Sequence, residues 1–204
     1  DTKGADSGSA YIFARSGTSW SQQKKLTASD GQTNDYFGIS ASLYGGTALV
    51  GAHGEDQRGS GSGAAYVFTG SGANWSQQRK LTATNGGASD EFGIAVSLAD
   101  NLALVGAHLE DSRTSNAGAA YIFERSGVNW TQTKLLTATD GNSGDRFGSQ
   151  VSALKDRVAV GDYQDGTYDH GSAYVFTRSG TGNTWTQTWK LTADDITNYD
   201  DFAI

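Results

Sequence analysis

The chain contains no cysteine, no proline and no methionine in its 204 residues. Without cysteine it can form no disulfide and offers no thiolate nucleophile, so its rigidity has to come from packing, which suits an extracellular and a cytosolic protein alike. Without proline, its turns fall to glycine, of which there are 28, and to Asn, Asp and Ser. Charge is sparse: charged residues make up 18%, the 15 Lys and Arg are scattered, and the formal net charge is −7. With no basic stripe to neutralise a phosphate backbone, nucleic acid is excluded as a partner, and an anionic membrane surface is disfavoured. No apolar run approaches the roughly 18 residues that span a bilayer and no charged-then-apolar leader is present, so no membrane insertion is expected. A start at Asp1 instead of Met leads us to expect a processed product or a piece of a longer protein. Gly-x-Ser-x-Gly elbows and phosphate-cradling loops are missing too, and Gly59-Ser-Gly-Ser-Gly is a flexible turn with no Lys after it.

What is present is a repeat. Tryptophans stand at Trp20, Trp75, Trp130 and Trp185, Leu-Thr-Ala begins at Leu26, Leu81, Leu136 and Leu191, and aspartates recur at Asp35, Asp90, Asp145 and Asp200, every series in steps of 55. Phenylalanine follows at Phe37, Phe92, Phe147 and Phe202, and an Ala-Tyr-Ile/Val-Phe block starts at Ala10, Ala65, Ala120 and Ala173. Each unit predicts four strands. From Phe37 to Leu43 apolar and small polar residues alternate, as in a half-buried strand. From Thr47 to Ala52 runs a short apolar stretch, expected of a strand covered on both faces. From Ala65 to Phe68 the chain is aromatic and β-branched. From Trp75 to Thr82, Trp75, Gln77, Arg79 and Leu81 share one face, and the polar, Lys-bearing remainder suits an exposed sheet edge. Four antiparallel strands every 55 residues, with Gly-rich connections and no helical period, predict an all-β chain of β-propeller blades.

The Phe-Gly pairs Phe37-Gly38, Phe92-Gly93 and Phe147-Gly148, the Gly-Ala pairs Gly51-Ala52 and Gly106-Ala107, and the recurring Trp-x-Gln-x-x-Lys-Leu-Thr-Ala resemble the FG-GAP repeat in its bacterial form. That repeat is the blade unit of integrin α-subunit propellers and of many bacterial surface and secreted proteins. His53 and His108 stand where the family usually has proline, and the third copy departs to Gly161-Asp162-Tyr163. The register implies a single array over 1–204, made of a half blade (1–36), blades over 37–91, 92–146 and 147–201, and a stub (202–204), about half of the ring common in the family. The resemblance implies a non-enzymatic binding or assembly module, secreted or on a cell surface, that associates with a protein or glycan partner. The incomplete ends predict either a longer chain or a homo-oligomer, ring or fibre, with Tyr11, Phe13, Phe202 and Ile204 at the assembly edge. A carbohydrate-binding lectin or a calcium-dependent adhesin is the alternative.

Two acidic groupings are candidates for chemistry. Asp30, Asp35, Asp90, Asp140, Asp145, Asp195 and Asp200 lie in the turns ahead of each Phe. Oxygen donors over a tight turn are what calcium requires, and equally what Asx turns use to bind their own backbone. The family's usual calcium loop, between strands one and two, is reduced here to Tyr44-Gly45-Gly46, Asp100-Asn101 and Lys155-Asp156. The second grouping is His53, Glu55 and Asp56, then His108, Glu110 and Asp111, then Asp162, Asp165 and Asp169, open to a transition metal, to acid–base chemistry, or to a solvated loop. A catalytic histidine would have to serve in duplicate, so no catalytic residue is assigned. The repeating tryptophans share a face with Leu and read as core, against sugar stacking as the other use. Tyr163, Tyr168, Trp189 and Tyr199 break the repeat and are the candidates for ligand contact. Asn74 and Asn129 open Asn-Trp-Ser and Asn-Trp-Thr glycosylation sequons.

Overall fold

The computed structural model describes residues 3–166, 170–180, 182–194 and 202–203. Strands β1 (Ala10–Ser16) and β2 (Ser19–Leu26) form a two-stranded half blade. Three four-stranded antiparallel blades follow. The first holds β3 (Ala41–Tyr44), β4 (Thr47–Ala52), β5 (Ala64–Ser71) and β6 (Asn74–Leu81). The second holds β7 (Val96–Ala99), β8 (Leu102–Ala107), β9 (Ala119–Ser126) and β10 (Asn129–Leu136). The third holds β11 (Phe147–Ala153), β12 (Arg157–Asp162), β13 (Ser172–Arg178) and β14 (Trp185–Leu191). Spatial order follows chain order within every blade, and no helix occurs among the described residues, hence none long and apolar enough to cross a membrane. The chain is all-β and built of propeller-type blades, and its sheets do not close into a ring.

The apolar core lies between blades. Leu26 and Ala28 of the half blade pack with Val50, Tyr66 and Phe68. Leu49, Val67 and Leu81 on the opposite face of the first blade pack with Val105, Tyr121, Phe123 and Trp130. Leu104, Ile122 and Leu136 then meet Val160, Tyr174, Phe176 and Trp185. Each blade thus offers an aliphatic face to the next blade's aromatic face, which is why β4 and β8 are buried at every position. The repeated Phe is the wedge: Phe37 meets Tyr66 and Phe68 edge-on at 5.5 and 5.8 Å, Phe92 meets Tyr121 and Phe123 at 5.3 and 5.9 Å, and Phe147 meets Tyr174 and Phe176 at 5.5 and 6.0 Å. Edge-to-face pairs add about 0.5–1.5 kcal/mol each beyond the burial of their surface.

Two local features differ from the predicted strands. The first strand of the first two blades starts at Ala41 and Val96, later than Phe37 and Phe92, which make only single parallel bridges to Gly8 and Gly63. The interruption is at Gly38 and Gly93, whose φ angles of 100° and 95° are left-handed. The Gly93 N–H donates to the Gly106 carbonyl at 2.9 Å, and a Cβ there would stand 2.2 Å from the Ala64 carbonyl oxygen, so the chain crosses another strand's backbone where only glycine fits. Second, a bulge recurs between the two outer strands of all four sheets, leaving Gln23, Gln78, Thr133 and Thr188 unpaired. The alternation predicted from Trp75 to Thr82 changes phase there, which turns Arg79 outward and brings Lys80 inward, half-buried instead of lying on a solvated edge. The glutamine just before the bulge reaches the preceding blade. Gln77, Gln132 and Gln187 accept the N–H groups of Ser29, Thr84 and Thr139 at 2.9, 2.9 and 3.0 Å. On the inner strands, Ser42 and Ser97 accept the N–H groups of Leu98 and Ala153.

Gly93→Ala is expected to cost about 3 kcal/mol or more, since both the φ and the space are wrong. Gly72→Ala, left-handed but facing open space, should cost only about 1 kcal/mol. Urea denaturation of both variants checks this, and similar losses would contradict the crossing as the reason for the glycine.

Candidate functional site

The polar groups gather at the three blade junctions, where the turn after one blade's outer strand crosses to the next blade. Asp35, Asp90 and Asp145 are buried there, 3–5% exposed. Each accepts a backbone N–H three residues back, from Gln32 at 2.7 Å, Gly87 at 2.7 Å and Asn142. The residues on either side are left-handed, Asn34 and Tyr36, Ser89 and Glu91, Gly144 and Arg146, so the carboxylate closes a tight turn of unfavourable backbone. Burial raises the pKa of all three above the ordinary carboxylate value.

Asp30 and Asp140 serve differently. Asp30 accepts the Tyr66 hydroxyl at 3.0 Å and Lys80 Nζ at 2.7 Å, and the same lysine reaches Glu55 at 2.7 Å. Asp140 likewise takes Tyr174 at 3.0 Å and Lys190 at 2.7 Å, with Asp165 2.6 Å from the lysine. Burial opposes ionisation of both aspartates, but the bonds from lysine and tyrosine outweigh it and hold their pKa values below the usual range. In the middle junction Asn85 and Leu135 occupy the positions of Asp30 and Lys80, and the amide Nδ2 of Asn85 donates to Glu110 Oε1 at 2.8 Å. The aspartate–lysine pair has been exchanged as a unit.

The second acidic grouping corrects a sequence reading. Glu55, Glu110, Asp162 and Asp165 are 0–5% exposed, not solvated, because the loop after each second strand folds back under the junction. Asp56 and Asp111 do stay outside, accepting the N–H groups of Gly61 at 2.7 Å and Asn116 at 2.6 Å. His53 stacks on Tyr36 at 5.0 Å, and His108 Nε2 lies 2.9 Å from Glu91 Oε2. Tyr163, the equivalent position, bonds Arg146 and lies 5.6 Å from its guanidinium carbon. Partner identity at this contact therefore changes in step with the residue after the buried aspartate. Asp162 is unique to the third junction: it replaces Ala52 and Ala107, is fully buried, and neither of its oxygens has a hydrogen-bond partner among the described residues. Burial, then Asp145 and Asp165, push its pKa up to about 9.

The connections between the first two strands of each blade do not fit the family's calcium loop, since they are Gly45-Gly46, Asp100-Asn101 and Leu154-Lys155-Asp156, with one carboxylate at most. Trp130 and Trp185 are core, Trp75 is half-buried, and Trp20 is 65% exposed because no blade among the described residues covers it. Trp189 is 66% exposed on β14, away from Tyr163 at the third junction. Asn74 and Asn129 are exposed at the starts of β6 and β10. Asp169, Asp195, Asp200, Tyr168, Tyr199 and Ile204 lie outside the described residues.

Stacked four-stranded blades joined by a repeated Phe-Gly crossing define the class: a blade-repeat array of the propeller type. The FG-GAP repeat family matches at residues 20–68, 75–123 and 130–176, more than half of the chain, and the chain belongs to it. No curated protein sequence matches. Among solved structures the crystal structure of Saccharomyces cerevisiae Sqt1 is similar, with a TM-score of 0.50 at 10% identity over 78% of this chain and 36% of that one. That likeness concerns the fold alone, and the chain spans about a third of that protein's length. FG-GAP membership points to a protein-interaction module, and such blades are typically non-catalytic.

Lys80→Leu should destabilise the chain by about 3 kcal/mol, because it strands the buried Glu55. Adding Asp30→Asn should restore most of the loss by reproducing the middle junction, and a double-mutant cycle in urea measures the coupling. For Asp162, the folded chain holds a proton that an unfolded aspartate, near pKa 3.9, releases. Stability is then full below about pH 4 and falls as pH rises towards 9. In metal-free buffer Asp162→Asn should flatten this decline, as followed by urea midpoints across that range.

Proposed function

We propose that this chain is a non-enzymatic assembly module, displayed outside the cell, whose partner is a second copy joined head to tail through the end blades. One observation carries the reading. Tyr11, Phe13 and Trp20 of the half blade are 47%, 50% and 65% exposed, whereas Tyr66, Tyr121 and Tyr174 are 0% exposed and Phe68, Phe123 and Phe176 only 3–4%. At the other end Leu191 is 46% exposed, against 2–3% for Leu26, Leu81 and Leu136. The two ends are the two halves of the contact that the chain makes three times internally, an aromatic face at one end and an aliphatic face at the other.

Phe202 adds to this, since its N–H donates to the His170 carbonyl at 3.0 Å, just as Phe37 bonds Ser7, Phe92 bonds Ser62 and Phe147 bonds Ala117. Phe202 thus keeps on the last blade the backbone bond that the wedge phenylalanines make at the internal junctions. A contact between unlike faces is heterologous, so it propagates into a fibre or closes into a ring. The surface and secreted occurrence of FG-GAP repeats supports the extracellular part of the proposal.

Analytical ultracentrifugation should show concentration-dependent dimers and larger species. Tyr11→Lys combined with Phe13→Glu, two substitutions at exposed positions, should return the chain to monomer with its β-sheet spectrum intact. A wild-type chain that stays monomeric across the micromolar range would overturn head-to-tail assembly.

A further inference from the structure

We infer that the third junction holds a divalent-cation site, formed by Asp145, Asp162 and Asp165, that the first two junctions lack. One carboxylate oxygen from each residue lies within 4.8 Å of the others, and all three residues are buried. Oxygens bound to a common calcium, at 2.3–2.6 Å each, stand at most about 5 Å apart, so the three already lie within one coordination sphere. The second observation is Asp162 itself, 0% exposed with both oxygens unpartnered among the described residues and within reach of the other two carboxylates. A carboxylate carried into a core without a donor is a costly arrangement that a bound cation resolves.

The repeat supplies internal controls. At the corresponding places of the first and second junctions stand Asp35, Ala52 and Glu55, then Asp90, Ala107 and Glu110, two acids opposite a methyl group. Only the third junction adds a third carboxylate, and the cations near it are already engaged. Lys190 is shared between Asp140 and Asp165, and Arg146 is bound to Tyr163. Asp165 also accepts the Ser172 hydroxyl, and Asp145 accepts the N–H of Asn142, so two of the three ligands are oriented by their own hydrogen bonds before any ion arrives. An all-oxygen donor set selects a hard ion, with calcium favoured over zinc or copper. The ion would tie the crossing turn to the end of β12 and to the loop beyond it, fastening the last blade to the array.

The test uses the full chain stripped with chelator. Calcium chloride at about 100-fold excess over its dissociation constant should raise the melting temperature by about 5–10 °C, and terbium should bind with luminescence sensitised by the nearby Tyr174. Asp162→Ala, which installs the residue found at positions 52 and 107, should fold and lose both responses, while Asp35→Asn in the first junction should keep them. Absence of both responses in the wild type, or responses that survive Asp162→Ala, would overturn the site.

Discussion

Each blade is a small sheet apolar on both faces, and it can bury those faces only against its neighbours. The constraint is visible in the exception. Tyr11 and Phe13 are the same residue types in the same strand as Tyr66 and Phe68, yet they are about half exposed because no blade among the described residues covers them. Stacking therefore decides burial, and sequence decides only which side chains are offered. The Phe-Gly pair makes stacking dense: Phe37, Phe92 and Phe147 fill the wedge between sheets, and the glycine beside each lets one backbone cross another at contact distance.

Polar groups set the register of that stacking more than its strength. Every junction buries carboxylates, and the chain meets the cost in two ways: lysine and tyrosine donors around Asp30 and Glu55 and again around Asp140 and Asp165, and an amide from Asn85 to Glu110. Because Lys80 and Lys190 also reach Asp30 and Asp140 of the preceding turn, and Asn85 reaches Glu110 of the next blade, a slip by one residue would break these bonds between blades. The glutamines at 77, 132 and 187 add one bond of fixed position to each junction.

Much of the fold was legible because 55-residue periodicity and alternating strands are properties of single segments. The turns around Asp35, Asp90 and Asp145 could be read for the same reason, as local Asx geometry. The junction networks could not be. Asp30, Glu55, Tyr66 and Lys80 are spread over 50 residues, and nothing in a one-dimensional pattern shows that Glu55 folds inward while Asp56, next to it, faces water. The bulge at Gln78 was hidden because an extra residue inside a run of Gln and Lys leaves no trace in composition. A signal did exist for the network: Asp30 to Asn85 and Lys80 to Leu135 change together between copies, as paired residues do. The replacement of Ala by Asp162 was visible too, but its burial follows only from the equivalence of that position with Ala52 and Ala107.

If stacking supplies the stability, protection should follow the number of covered faces and not the number of hydrogen bonds within a blade. Native-state hydrogen exchange, resolved strand by strand, measures this. Amides of β8 and β9, in the blade flanked on both sides, should open only with the whole chain, and those of β1 and β2 should exchange far faster. Equal protection in the half blade and the middle blade would mean that each sheet is stable alone, and that stacking is incidental.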